Sequence, residues 1–146
     1  MKKGFVIIGV IVVVAILAVG LFSGSETESK KVKYEVESMT ESSYVISSNN
    51  YASHADAGYK FVTARIVITN LGTESISPSV FWFKIDCNGV TYSYDINTYS
   101  LASEYKYVSV NLEKDASVKM DIVFQIPASS TGYSLVNYIP SYIKVA

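Results

Sequence analysis

The sequence predicts an all-β fold, an antiparallel sandwich of seven or eight strands preceded by one N-terminal membrane-crossing helix. Three observations predict it. Apolar residues alternate strictly with polar ones in several runs beyond residue 32, the signature of strands buried on one face. Turn signals, above all Asn88-Gly89, separate those runs at short intervals. Phe5 to Phe22 carries no charged or strongly polar side chain.

The apolar run comes first in the chain. Its 18 residues make a helix of roughly 27 Å at about 1.5 Å per residue, close to the thickness of a bilayer core. Its lack of a polar face argues against the alternative of a buried core helix. Lys2 and Lys3 precede it and Glu26 and Glu28 follow, which sets the N-terminus in the cytoplasm and the rest of the chain outside. Three fates are open to such a helix. It stays as a single-pass signal-anchor, because it exceeds the usual core of a signal peptide. It is removed as a leader near Ala18-Val19-Gly20, releasing a secreted domain. Or it packs into a filament, since Lys2-Lys3-Gly4 before Phe5 resembles the processing site of type IV pilin-like and archaellin precursors, cut between Gly4 and Phe5. Against that resemblance, Gly9 stands where bacterial pilins carry a glutamate, and no amphipathic stem follows the apolar run.

Residues 1–23 therefore form the membrane segment and residues 24–31, small and polar, a flexible linker. Residues 32–146 form the β-domain. Its first strand is expected at Val32, Tyr34 and Val36, the next at Val62, Ala64, Ile66 and Ile68. Asn70-Leu71-Gly72-Thr73 and Ser77-Pro78-Ser79 then break the chain. Phe81, Phe83, Ile85 and Cys87 share the inward parity of a third strand, leaving Trp82, Lys84 and Asp86 outward. Asn88-Gly89 turns that strand into Val90, Tyr92, Tyr94 and Ile96. Further strands are expected at Val108, Val110 and Leu112, at Val118 to Ile126, and from Tyr133. Short alternating strands of this kind pack as two sheets; a closed barrel is the alternative.

These landmarks resemble a widespread exported immunoglobulin-like family, found in bacterial and archaeal lipoproteins and anchored proteins and similar to a small secreted mycobacterial antigen. The resemblance rests on Gly58-Tyr59-Lys60-Phe61-Val62, on Ile66 to Ile76, on Phe83, Asn88-Gly89 and Tyr92, and on Phe124-Gln125-Ile126-Pro127 with Tyr133-Ser134-Leu135. It implies an immunoglobulin-like sandwich outside the cell, and no reaction. Two positions depart from the family pattern. Lys114-Asp115-Ala116 occupies a turn where glycine is usual, and Asp121 stands where glycine is common.

Composition excludes several kinds of function. The net charge is −1, and without Lys2 and Lys3 the exported part is near −3, with signs interspersed. That is no footprint for nucleic acid. The single cysteine, Cys87, rules out an intrachain disulfide and sits with core residues, as a small inert hydrophobe would. His54, the only histidine, is expected in a polar loop with Asp56, too few ligands for zinc and without a nucleophile partner. Asp86, with Asp95 across the hairpin, falls short of the oxygens calcium needs. No catalytic residue, cofactor or metal is expected.

What remains is contact surface. Trp82, Tyr92, Tyr94, Tyr99, Tyr105 and Tyr107 are the candidates, because aromatics concentrate at interfaces. The expected function is a membrane-anchored, extracytoplasmic binding domain without catalytic activity, held by Phe5–Phe22 and meeting an unidentified protein or cell-surface partner. The alternatives are a self-assembling filament subunit and a free secreted domain.

Overall fold

The computed structural model describes residues 10–11 and 28–146. The membrane helix expected over Phe5–Phe22 and the processing site at Gly4 and Phe5 lie outside the described residues, apart from Val10–Ile11 (β1). At these two residues the chain departs from the helix expected: they form a two-residue strand that pairs antiparallel with Thr40 and Met39 at the edge of β2 (Lys31–Ser42), whose backbone groups supply the bonds. Among the described residues no helix is long and apolar enough to cross a membrane.

The main sheet is built on three strands, β2 (Lys31–Ser42), β5 (Tyr59–Asn70) and β8 (Ser117–Pro127), in the order β1-β2-β5-β8. The register runs unbroken from Tyr59↔Pro127 to Thr69↔Ser117. Between β2 and β5 it slips once, between Val36 and Ser38. That bulge inserts one residue, so the buried positions change from Val32 and Val36 to Met39. A second sheet, in the order β7-β6-β9, holds β6 (Phe83–Cys87), β7 (Val90–Tyr92) and β9 (Tyr133–Asn137). Between the sheets lies one core of Ala64, Ile66, Ile68, Ile122, Phe124 and Ile126 against Phe83, Ile85 and Cys87.

Both ends of the sandwich are closed by polar side chains. At one end Lys60 donates to Glu41 (2.9 Å) and to the Ser130 carbonyl (2.8 Å), and Tyr133 donates to the other oxygen of Glu41. Burial and that bond hold the Tyr133 phenol well above its usual range. At the other end buried Asn70 donates to the carbonyls of Glu74 and Leu112 and accepts from the Gly72 N–H. A Cβ on Gly72 would stand 2.4 Å from the Ser29 carbonyl oxygen. The motif Asn70-Leu71-Gly72 is thus the seat on which the linker enters the domain.

Alternation located β2, β5, β6 and β8 but overran elsewhere. Val108 and Val110 belong to no strand and Leu112 makes only a bridge to Ile76, so the strand expected there is absent. The second hairpin arm stops at Tyr92, because Tyr94 leaves to bridge Phe124 of the other sheet. β10 (Lys144–Val145) runs parallel to β2, an exception to the antiparallel rule expected. The position read as a glycine turn holds Asp115 at φ 67°, so Asp115 takes the left-handed backbone itself.

Candidate interaction surface

The outer face of the main sheet is covered by a third layer. One part is the hairpin of β3 (Tyr44–Ile46) and β4 (Ala52–His54). The other is the segment 93–107, which joins the edge of β8 at Tyr94 and Asp95, crosses the face and rejoins it at Tyr105 and Lys106. Val45, Phe61, Leu101 and Val123 form a small separate core beneath. By pairing with β8 the segment also covers what would be an open sheet edge.

The segment is pinned by charge and capping. Arg65 donates to both oxygens of Asp121, at 2.7 and 2.9 Å, and the Ser103 hydroxyl donates to Asp121 at 2.5 Å. Asp121 is 3% exposed. The Tyr105 carbonyl accepts from the Asp121 N–H, and the Tyr105 ring centre stands 4.6 Å from the Arg65 guanidinium and 5.0 Å from the Lys119 ammonium. The bidentate bond to Asp121 raises the Arg65 pKa, despite partial burial. Asp121, the unexpected residue of this strand, is thus the anchor of the crossing segment. Asp95 accepts from the Asn97 N–H and so caps the short turn Ile96–Tyr99, while buried Thr98 bonds the backbone of Val123.

Where this layer meets the main core, Tyr94, Tyr99 and Tyr107 line up with Phe81 in an aromatic ridge. Phe81 meets Tyr94 edge to face at 5.3 Å, Tyr94 meets Tyr99 at 5.5 Å, and Tyr99 meets Tyr107 at 5.7 Å. Side-chain hydrogen bonding with Tyr94, then burial, pushes the Tyr99 phenol up to about 12. Burial raises Tyr107, whose hydroxyl donates to the Pro78 carbonyl. Phe81 and Ile96 are 64% and 71% exposed, and Tyr99 and Val108 are also exposed.

Of the six expected contact residues, Tyr94, Tyr99 and Tyr107 come together here. Tyr105 instead meets Arg65 and Lys119, and Tyr92, which packs on the main core as Tyr94 and Tyr107 do, has no ring contact with them. Trp82 does not face outward. Ser79 caps a short helical turn, Val80–Trp82, that precedes β6, so parity is reset: Trp82 is buried and Phe81 is exposed. Sequence reasoning missed Phe81, Ile96 and Val108; Ser79 ahead of an apolar triplet was the signal for the first. His54 lies on β4 rather than in a loop and meets the Tyr44 ring at 5.6 Å. Cys87 lies in the main core. Asp86 and Asp95 are engaged with turn backbones, and no group of three metal-ligating side chains occurs among the described residues.

Solved structures share the fold. A conserved hypothetical protein of Bacillus anthracis aligns at TM-score 0.59 and 15% identity, over 70% of this chain and 79% of that one. The yjhA protein of Bacillus subtilis aligns at 0.53 and 16%, over 77% and 79%. The ycdA protein of Bacillus subtilis, described as an inferred lipoprotein, aligns at 0.52 and 17% over 75% of this chain; the match spans only 33% of ycdA. No curated protein matches the sequence. The DUF4352 family, a domain of unknown function, matches residues 22–144, and the chain belongs to that family.

Proposed function

We propose that this chain is a membrane-held, extracytoplasmic binding domain without catalytic activity, an immunoglobulin-like sandwich that meets a protein partner through its aromatic ridge. The observation that carries the reading is a continuous run of edge-to-face rings in which Phe81 and Tyr99 are exposed, with exposed Ile96 in the turn of Tyr99 and exposed Val108 following Tyr107. Contiguous exposed apolar surface on a folded domain marks interaction sites, and aromatic anchors dominate their energetics. The apolar run Phe5–Phe22 after Lys2 and Lys3 supports the location. The fold shared with ycdA, an inferred lipoprotein by its description, is consistent with it.

A photo-crosslinking phenylalanine analogue at position 81, in the full chain expressed in its own cells, tests the reading. A discrete adduct with another protein that disappears in a Tyr99→Ala background supports it. An adduct with a second copy of the chain turns the reading toward a filament subunit. Labelling of position 81 no stronger than of Val90, an exposed site on the other sheet, contradicts it.

A further inference from the structure

The turn that points Phe81 outward sends Trp82 the other way, into a cleft of about 420 Å³ at the linker end of the sandwich. Buried Ile76 and Ile143 line it, with Lys30, Ser75 and Tyr142. The volume falls within the range of small-molecule sites, roughly 300–1,000 Å³.

Three donors there have no acceptor. The Lys30 ammonium stands 5.1 Å from the Tyr142 ring centre and has no carboxylate partner among the described residues. The Ser75 hydroxyl is likewise without a partner, whereas Ser77 is bonded to Asn111 and Ser79 caps its turn. Trp82 belongs to the rim of the main core at 6% exposed, and its indole N–H donates to no acceptor among the described residues. Buried indole N–H groups ordinarily find an acceptor. No fully buried polar side-chain atom among the described residues lacks one, so this N–H is reached from solvent, and the cleft is the surface that Trp82 lines.

A lysine, a hydroxyl and an indole N–H supply charge and directional donation, and Tyr142, Ile76 and Ile143 supply apolar contact. We propose that this cleft binds a small ligand through an oxyanion, a carboxylate or phosphate, held by Lys30, Ser75 and Trp82. The proposal is independent of the aromatic ridge, from which Trp82 is turned away. The five residues between Phe22 and the first described residue of the domain, Glu28, reach at most about 20 Å. On the membrane-held reading proposed above, on which this one point rests, the phosphate could come from a lipid headgroup as readily as from solution.

Trp82 is the sole tryptophan, so its emission in the full chain in neutral detergent reports the cleft alone. Inorganic phosphate, glycerol 3-phosphate and N-acetyl-glycine are titrated at constant ionic strength, and vesicles with and without phosphatidylglycerol form a second arm. The expected result is a saturable emission change, weakened at least tenfold in Lys30→Met and also weakened in Ser75→Ala. Saturation by a soluble probe assigns a free oxyanion; a response to anionic vesicles alone assigns a headgroup. Emission that stays flat in both arms overturns the proposal. So does a response unchanged in Lys30→Met, provided that variant keeps the wild-type thermal midpoint. If Lys30→Met is destabilised, Lys30→Arg decides, because it must restore binding.

Discussion

The two faces of the β2-β5-β8 sheet are buried by different chemistry. The inner face is an apolar surface of Val62, Ala64, Ile66, Ile68, Ile122, Phe124 and Ile126, all fully buried and all even-numbered. The outer face is covered by a thin layer with a four-residue core, and what fixes that layer is polar: the Arg65–Asp121 pair, Ser103, Thr98 and the Asp95 cap. Burial of area stabilises the first face without specifying what lies across from it. Directional bonds specify the second, and they cost heavily when one partner is removed. The apolar face makes the domain stable, and the polar contacts on the other face decide how the segment 93–107 is held.

The largest expected effect breaks the inner face. Phe124→Ala removes a ring with no exposure and costs about 3–5 kcal/mol by urea unfolding. Next come the polar anchors. Arg65→Ala leaves the buried Asp121 carboxylate with the Ser103 hydroxyl and no countercharge, and costs about 3 kcal/mol. Asp121→Ala costs about 2 kcal/mol, because the Arg65 side chain is 37% exposed and water takes over its solvation. A double-mutant cycle reads their coupling. Hydrogen exchange in Asp121→Ala should accelerate over 93–107 and stay unchanged in β5 and β6. Equal acceleration throughout would mean that the layer is no separate unit.

Smaller effects sharpen the contrast at the margins. Asp115→Gly relieves a left-handed backbone and adds about 0.5 kcal/mol, while Asp115→Val loses about 1–2 kcal/mol. The smallest effect is electrostatic. The Tyr99 and Tyr133 phenols lie above their unfolded value of about 10. A raised pKa means that the fold prefers the protonated form, so this stabilisation is complete below about pH 10 and fades as pH rises toward 12. Tyr99→Phe should flatten that fade in thermal midpoints measured from pH 9 to 12; an unchanged slope would place the cause elsewhere.

The same contrast explains what could be read in the sequence. The main sheet follows from alternation because one apolar face imposes a period of two on β5 and β8. The hairpin turn was legible at Asn88-Gly89, and both residues take positive φ. The outer layer carries no period: Ser103 reaches Asp121, and Gln125 reaches the Asp56 N–H, from distant parts of the chain. Tyr94, Tyr99 and Tyr107 were identified by composition, but the ridge needed Phe81, whose direction reverses because Ser79 starts a turn one residue before the expected strand continues. The cleft was illegible because Lys30, Ser75 and Tyr142 meet only after the linker seats against Gly72.

The central proposal is that the apolar run Phe5–Phe22, as a membrane helix, holds this domain outside the cell. Intact mass of the mature chain, recovered from fractionated cells of its own organism, tests that claim most directly. The account predicts a chain that retains residues 2–22, is found in the membrane fraction and is degraded by protease added to whole cells. A chain beginning at Phe5 in sheared filaments, or one beginning beyond Gly20 in the medium, would contradict it.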